Sequence, residues 1–241
     1  MVCVDIWFRD LDVCDGQYAS LALLLTAAEL KRANQYVHRL DARRFIVRRG
    51  HLRTILANYV GVRAQALVLA AGTHGKPFLE TPDQIHFNLS HSGGLMMLVV
   101  SPDCPVGADI EKVEPMTEDI ARVAFTEREC AQLAALSPSH RLREHYKLWT
   151  CKEAVLKAHG TGLMVEPQHV DIGFLDDVGD GYGNGQWASV DWGEVDRQQP
   201  SLNARPNSVY AFAPRSGFMA AIATVAHDRH LKMTMRGDHA Q

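Results

Sequence analysis

Three short strand-like runs follow one another in quick succession, Ile85 to Leu89, Leu95 to Val100 and Val106 to Ile110, with a long helical pattern on either side. No other feature restricts the fold as strongly. Ser90-His91-Ser92-Gly93-Gly94 and the Pro102 to Pro105 stretch separate the runs, and both break regular structure. The first flanking helix is expected from about Asp41 to Val60, where Phe45, Leu52, Ile55 and Leu56 recur at helical spacing before Gly61. The second runs from about His140 to His159 and is closed by Gly160 and Gly162. Strands between amphipathic helices must pack in layers, so the chain reads as α/β (α+β). Further strands are expected at Val2 to Phe8, Ala66 to Ala71, Val170 to Phe174, Ala188 to Val190, Val209 to Ala213 and Met219 to Val225. Shorter helices are expected from Thr26, over Thr117 to Phe125 and over Glu127 to Leu136, and two halves, 1–103 and 104–241, meet near residue 103.

The chain can fill such layers. Of its 241 residues 46% are apolar and 22% charged, ordinary globular values that exclude a disordered or coiled-coil chain. The net charge of −3 argues against nucleic acid as a partner and requires any basic patch to be local. One such patch is the first long helix, with Arg43, Arg44, Arg48, Arg49 and Arg53. No apolar run reaches the roughly 18–20 residues of a membrane span. The start is acidic at Asp5, Asp10, Asp12 and Asp15, so no secretory signal is expected. Five scattered cysteines without a C-x-x-C pair speak against structural zinc or a disulfide framework, and the expected location is the cytoplasm.

Three tempting motifs fail. Ala70 to Pro77 lacks the first glycine and the Ser or Thr of a phosphate-binding Walker loop. Ser90 and His91, adjacent on an extended chain, point to opposite faces and cannot act as a hydrolase dyad. Asp176 to Gly181 has Val178 at a ligand position of a calcium loop.

Other signals survive. In Gly107-Ala108-Asp109-Ile110-Glu111 two carboxylates stand two residues apart at a strand end, so both project from one face. Such a pair is either plain surface charge or a seat for a hard divalent cation that also recruits phosphate oxygens. Glu153 and Lys157, in Trp149-Thr150-Cys151-Lys152-Glu153 and onward, are four apart on one helix. They read as a surface ion pair, or as a third metal carboxylate with a cation that steadies a phosphate leaving group. Lys76 after Gly75, and Ser90 with His91 at a strand end, can donate to phosphate oxygens. Together these residues describe a site for a polyphosphorylated small molecule and a divalent metal.

Taken in order, G-K-P (Gly75 to Pro77), N-x-S-H-S (Asn88 to Ser92), G-x-D-I-E (Gly107 to Glu111), F-x-x-x-E (Phe125 to Glu129) and W-x-x-K-E-x-x-x-K (Trp149 to Lys157) resemble the 4′-phosphopantetheinyl transferase superfamily. The likeness is to its long, pseudo-dimeric, surfactin-synthetase-activating type and runs from about Glu29 to Gly162. It implies two similar halves in a pseudo-two-fold arrangement, each a small sheet on a long helix, with the cofactor in the cleft between them. It implies transfer of the phosphopantetheine arm of coenzyme A to a serine of an apo carrier protein, with release of 3′,5′-ADP. Asp109, Glu111 and Glu153 would be the carboxylates for Mg²⁺, with Mn²⁺ as a substitute. Glu153 and Lys157 would be catalytic, Glu153 or a water it holds being the base. Arg32, Arg44, Gly75, Lys76, Pro77, Ser90 and His91, along with Asp109, Glu153 and Lys157, would contact coenzyme A. Arg44 ranks ahead of Arg32 for the 3′-phosphate, while Arg49 and Arg53 could be structural. The partner would be an acidic, helical carrier protein, docked on Val113 to Phe125 or leaving that segment as core, and one chain would act as a monomer. The alternatives are a metal-dependent phosphohydrolase of coenzyme A or a related nucleotide, and a coenzyme A-responsive binding module.

Overall fold

The structure, a computed structural model, describes residues 2–72, 75–81, 84–115, 124–160, 165–173, 184–192, 208–225 and 231–236. The first half holds β1 (Val2–Asp10), α1 (Asp15–Ala22), α2 (Ala27–Ala33), α3 (Arg39–Val60), β2 (Leu69–Ala71), β3 (Pro77–Leu79), β4 (His86–Ser92) and β5 (Leu95–Ser101). The second holds β6 (Val106–Lys112), α4 (Glu127–Ala134), α5 (Pro138–His159), β7 (Asp171–Ile172), β8 (Gln186–Asp191), β9 (Ser208–Phe212), β10 (Phe218–Thr224) and β11 (Leu231–Arg236). Among the described residues no helix is long and apolar enough to cross a membrane.

The strands form a four-stranded sheet ordered β11-β1-β5-β4, a five-stranded sheet ordered β6-β10-β9-β8-β7, and a small β2-β3 hairpin. Helix α3 covers one face of the first sheet, setting Val47, Leu52, Ile55 and Leu56 against Met96, Leu98 and Val100. The other face turns Val4, Ile6, Met97 and Val99 towards Ala108, Ile110, Phe212 and Ile222 of the second sheet. Helix α5 closes the stack, packing Leu148, Cys151, Ala154 and Val155 on Val209, Ala211, Ala221 and Ala223. The layers are therefore helix, sheet, sheet, helix, the expected α/β architecture. Burial on both faces explains why β5 and β10 are buried at every position and read as unbroken small and apolar runs rather than alternating ones.

Each half uses the same devices. Both long helices have 22 residues and end on a left-handed glycine, Gly61 at φ 67° and Gly160 at φ 80°. Each half also has a short helix opened by a capping box, Thr26 with Glu29 and Thr126 with Glu129, which satisfies two backbone donors at once. Both capping glutamates then take a cation from the long helix of their half. Glu29 holds Arg53 at 2.8 Å, and Glu129 holds Lys152 at 2.6 Å with both side chains at 0% exposure. The C-terminal strand β11 pairs in parallel with β1, so the first sheet is built from both ends of the chain.

Most expected elements are present with shifted ends. Helix α1 is a finding rather than an expectation, since it buries no residue of its own and leaves no periodic pattern to read. Its place is set by α3, where a Cβ on Gly50 would stand 2.6 Å from Leu21 Cβ. The run Ala66 to Ala71 divides into a 3₁₀ turn over Ala64–Ala66 and the short β2. Strands β3 and β11 are likewise additions. Most of the helix expected over Thr117 to Phe125, together with Gly162 and the Asp176 to Gly181 stretch, lies outside the described residues.

Candidate active site

The two sheets present edge strands to each other, β4 from the first and β6 from the second. Backbone pairing does not join them; side chains do. Asn88 Oδ1 accepts from Ala108 N at 2.8 Å, Ser90 Oγ donates to Asp109 Oδ1 at 2.7 Å, and Ser92 Oγ donates to Glu111 Oε2 at 2.7 Å. Residues two apart share a face of a strand, so one face of β4 supplies a row of polar side chains to β6. The sequence pattern ends this strand at Leu89. It continues to Ser92 because Gly93 (φ 51°) and Gly94 (φ 82°) make the two-residue turn that needs positive φ at both positions. Ser92 Oγ also accepts from Lys112 N at 3.1 Å, which directs its own proton to Glu111.

Helix α5 reaches the same place because Gly107 lets it. A Cβ there would lie 1.9 Å from Ala154 O and 2.2 Å from Ala158 N, so strand and helix backbones touch. That contact brings the residues after Trp149 over Asp109. Lys157 Nζ lies 2.6 Å from Asp109 Oδ1 and 3.6 Å from Glu153 Oε2. One oxygen of Asp109 thus accepts from Ser90 of the first half and Lys157 of the second, and its other oxygen, Oδ2, is buried with no hydrogen-bond partner among the described residues. Burial raises the Glu111 pKa; Asp109 and Glu153 add to the rise, and Ser92 and Lys157 oppose it. Burial also raises Glu153, with Lys157 opposing and Asp109 adding. Glu111 and Glu153 therefore both feel the Asp109 charge across a partly dry site.

His91, on the opposite face from Ser90, is accessible at the surface, but its pKa is pushed down to about 4, first by loss of surrounding water and then by Arg48, Lys157 and Arg44. Arg44 is gripped by Asp12 through two bonds of 2.7 and 2.6 Å. Arg32 is exposed, its guanidinium 5.6 Å from the Phe45 ring centroid, and Arg48 stacks on the same ring at 5.5 Å. Arg49 and Arg53 both bind Glu29, a structural use. Lys76 follows Gly75 (φ 79°) and donates to Val106 O at 3.0 Å and Lys157 O at 2.6 Å, tying its loop to both β6 and α5. Burial lowers its pKa to about 8. Lys76 and Pro77 border a cavity of about 320 Å³ with Phe78, His86, His159 and Gly160. Arg48 and Ser92 gained no assignment from sequence, although the period-two row Asn88, Ser90, Ser92 was a readable signal for Ser92.

The donor chemistry fits a hard divalent cation, with three carboxylates of like charge and a buried, unpartnered Asp109 Oδ2. As they stand, no three acidic, histidine or cysteine side chains among the described residues close round one point as a metal cluster. The Lys157 ammonium stands between Asp109 and Glu153, and Ser92 holds Glu111.

Comparison with known proteins gives matches over both parts of the chain. Residues 12–103 match the family model described as 4′-phosphopantetheinyl transferase, N-terminal, and residues 105–199 match that of the 4′-phosphopantetheinyl transferase superfamily. The chain is 36% identical over 165 residues to the 4′-phosphopantetheinyl transferase HetI of Nostoc sp., an alignment covering 66% of this chain and 70% of HetI. It is 29% identical over 170 residues to a 4′-phosphopantetheinyl transferase of Bacillus subtilis, covering 70% and 75%. It is 28% identical over 133 residues to the Bacillus subtilis 4′-phosphopantetheinyl transferase Sfp, covering 55% and 59%.

Proposed function

The chain belongs to the 4′-phosphopantetheinyl transferase superfamily, and from that premise we propose how its own residues transfer the phosphopantetheine arm of coenzyme A to a serine of an apo carrier protein. The observation that carries the proposal is the shared Asp109 oxygen, bonded to Ser90 from one half and Lys157 from the other. It joins both halves beside His91, which feels Arg48, Lys157 and Arg44. The phosphohydrolase alternative draws no support from these matches.

Residues 1–103 hold the nucleotide. Arg44, Arg48, Arg32 and His91 take the phosphates, and Lys76 and Pro77, after the Gly75 turn, border the cavity that seats the base. Residues 104–241 bring Asp109, Glu111 and Glu153, which would hold Mg²⁺ or Mn²⁺. That ion supplies charge neutralisation on the pyrophosphate when bound. Ser90 and Ser92 orient Asp109 and Glu111. Lys157, beside Asp109, stabilises the negative charge that grows on the departing 3′,5′-ADP. Glu153 takes the proton of the attacking carrier serine, directly or through a water; burial raises its pKa, which makes the carboxylate more basic for that step. The carrier, acidic and helical, docks on the Val113 to Phe125 segment, most of which lies outside the described residues. One chain contains every group named, so a cytoplasmic monomer suffices.

Mass spectrometry of an apo carrier incubated with the protein, Mg²⁺ and coenzyme A tests the reaction. The carrier gains one phosphopantetheine. A panel of carriers left unchanged in mass, or free phosphopantetheine released without a carrier, contradicts it.

A further inference from the structure

The arginine ranked first for the nucleotide 3′-phosphate does not stand alone. The Nε and Nη2 edge of Arg44 is clasped by both carboxylate oxygens of Asp12, at 2.7 and 2.6 Å. Such a two-point bond fixes the plane of a guanidinium as well as its distance. The clasp uses one edge of the fork and leaves the Nη1 donors for another anion.

The surroundings hold the clasp in place. A Cβ at Gly94 would lie 2.6 Å from Asp12 Oδ2 and 3.0 Å from Arg44 Nη2, so the glycine backbone packs directly on the pair. Leu11 N donates to Gly94 O at 2.7 Å, fastening the chain just before Asp12 to that same glycine. The next arginine repeats the theme, with Arg43 donating to Val13 O at 2.8 Å and pairing with Asp15 at 2.9 Å. The segment 11–15 is thus stapled to α3 by two consecutive arginines. Gly94 also belongs to the turn after Ser92, the residue that holds Glu111, and a Cβ on its neighbour Gly93 would meet Lys112. One glycine pair therefore touches the Asp12–Arg44 clasp on one side and the strand of the acidic cluster on the other.

We propose that Asp12 is the positioning residue for Arg44, setting its guanidinium to receive the 3′-phosphate of coenzyme A. The proposal rests on the reading of Arg44 given above. The opposing effect is electrostatic, because a carboxylate beside Arg44 offsets the charge offered to phosphate. The Asp12 side chain is 53% exposed, so water and salt weaken that offset, and the geometric hold prevails.

Steady-state kinetics with coenzyme A and with 3′-dephospho-coenzyme A decides it. Asp12→Ala raises KM for coenzyme A by about three- to tenfold, the cost of re-fixing one flexible side chain on binding. It leaves kcat and the KM for the dephospho compound unchanged. Asp12→Asn, which keeps one acceptor and drops the charge, falls between Asp12→Ala and the parent. A lowered KM for coenzyme A in both variants means that Asp12 acts by charge and overturns the proposal, as do equal changes for both nucleotides. Arg44→Ala separates the two readings. If it discriminates between the nucleotides while Asp12→Ala does not, the positioning role alone falls. If Arg44→Ala does not discriminate, the assignment of Arg44 falls with it.

Discussion

His91 shows how the cleft prepares single residues for an anion. With its pKa held near 4 by lost hydration and by Arg48, Lys157 and Arg44, its imidazole is neutral in the free protein at neutral pH. Folding favours the neutral form, so the resulting stability is present above the ordinary value of about 6.5 and is lost as pH falls towards 4. A bound phosphate reverses the local field, so coenzyme A raises the His91 pKa, and NMR titration with and without nucleotide reads the change. An unmoved pKa would separate His91 from the phosphates. Asp109→Asn abolishes transfer, and it also weakens the acceptor of Ser90 and Lys157 in a buried position. The stability cost is about 1–3 kcal/mol, measured by chemical denaturation. Spacing made Asp109, Glu111, Glu153 and Lys157 legible, because two along a strand and four along a helix each define a face. Arg48, Ser92 and Asp12 were harder to read, since what matters about each is a partner on a distant segment.

At the scale of elements, the site depends on how closely α5 crosses β6. Any side chain at Gly107 must displace helix backbone, which has no rotamer to yield. Gly107→Ala therefore costs more than the roughly 1–3 kcal/mol of ordinary overpacking, and the melting temperature drops by about 6 °C or more. A melt within a degree of the parent contradicts the contact. The buried pair between Lys152 and Glu129 anchors α5 to α4 in the same half. Lys152→Ala strands the Glu129 charge and costs about 3–5 kcal/mol, whereas turnover per folded molecule is retained, read by denaturation alongside single-turnover assays. Long helices and buried strands were visible in advance because their periods and glycine stops are local signals. Helix α1 and strand β11 were not, being held by Gly50 and by the edge of β1, partners remote in sequence.

For the whole molecule, two sheets stacked face to face are also tied along their edge strands β4 and β6 through Asn88, Ser90 and Ser92, and the acidic cluster sits on that seam, with His91 and the arginines it feels on the first-half side. The layered α/β class followed from strands bracketed by helices. The seam itself did not, because it is made of polar side chains crossing between strands rather than of a hydrophobic pattern. A crystal structure with coenzyme A and magnesium tests the central claim most directly. The account predicts the pyrophosphate within hydrogen-bond reach of Lys157, the metal held by Asp109, Glu111 and Glu153, and the 3′-phosphate on Arg44. A nucleotide bound away from the β4–β6 seam, with Asp109 Oδ2 still unpartnered, would contradict it.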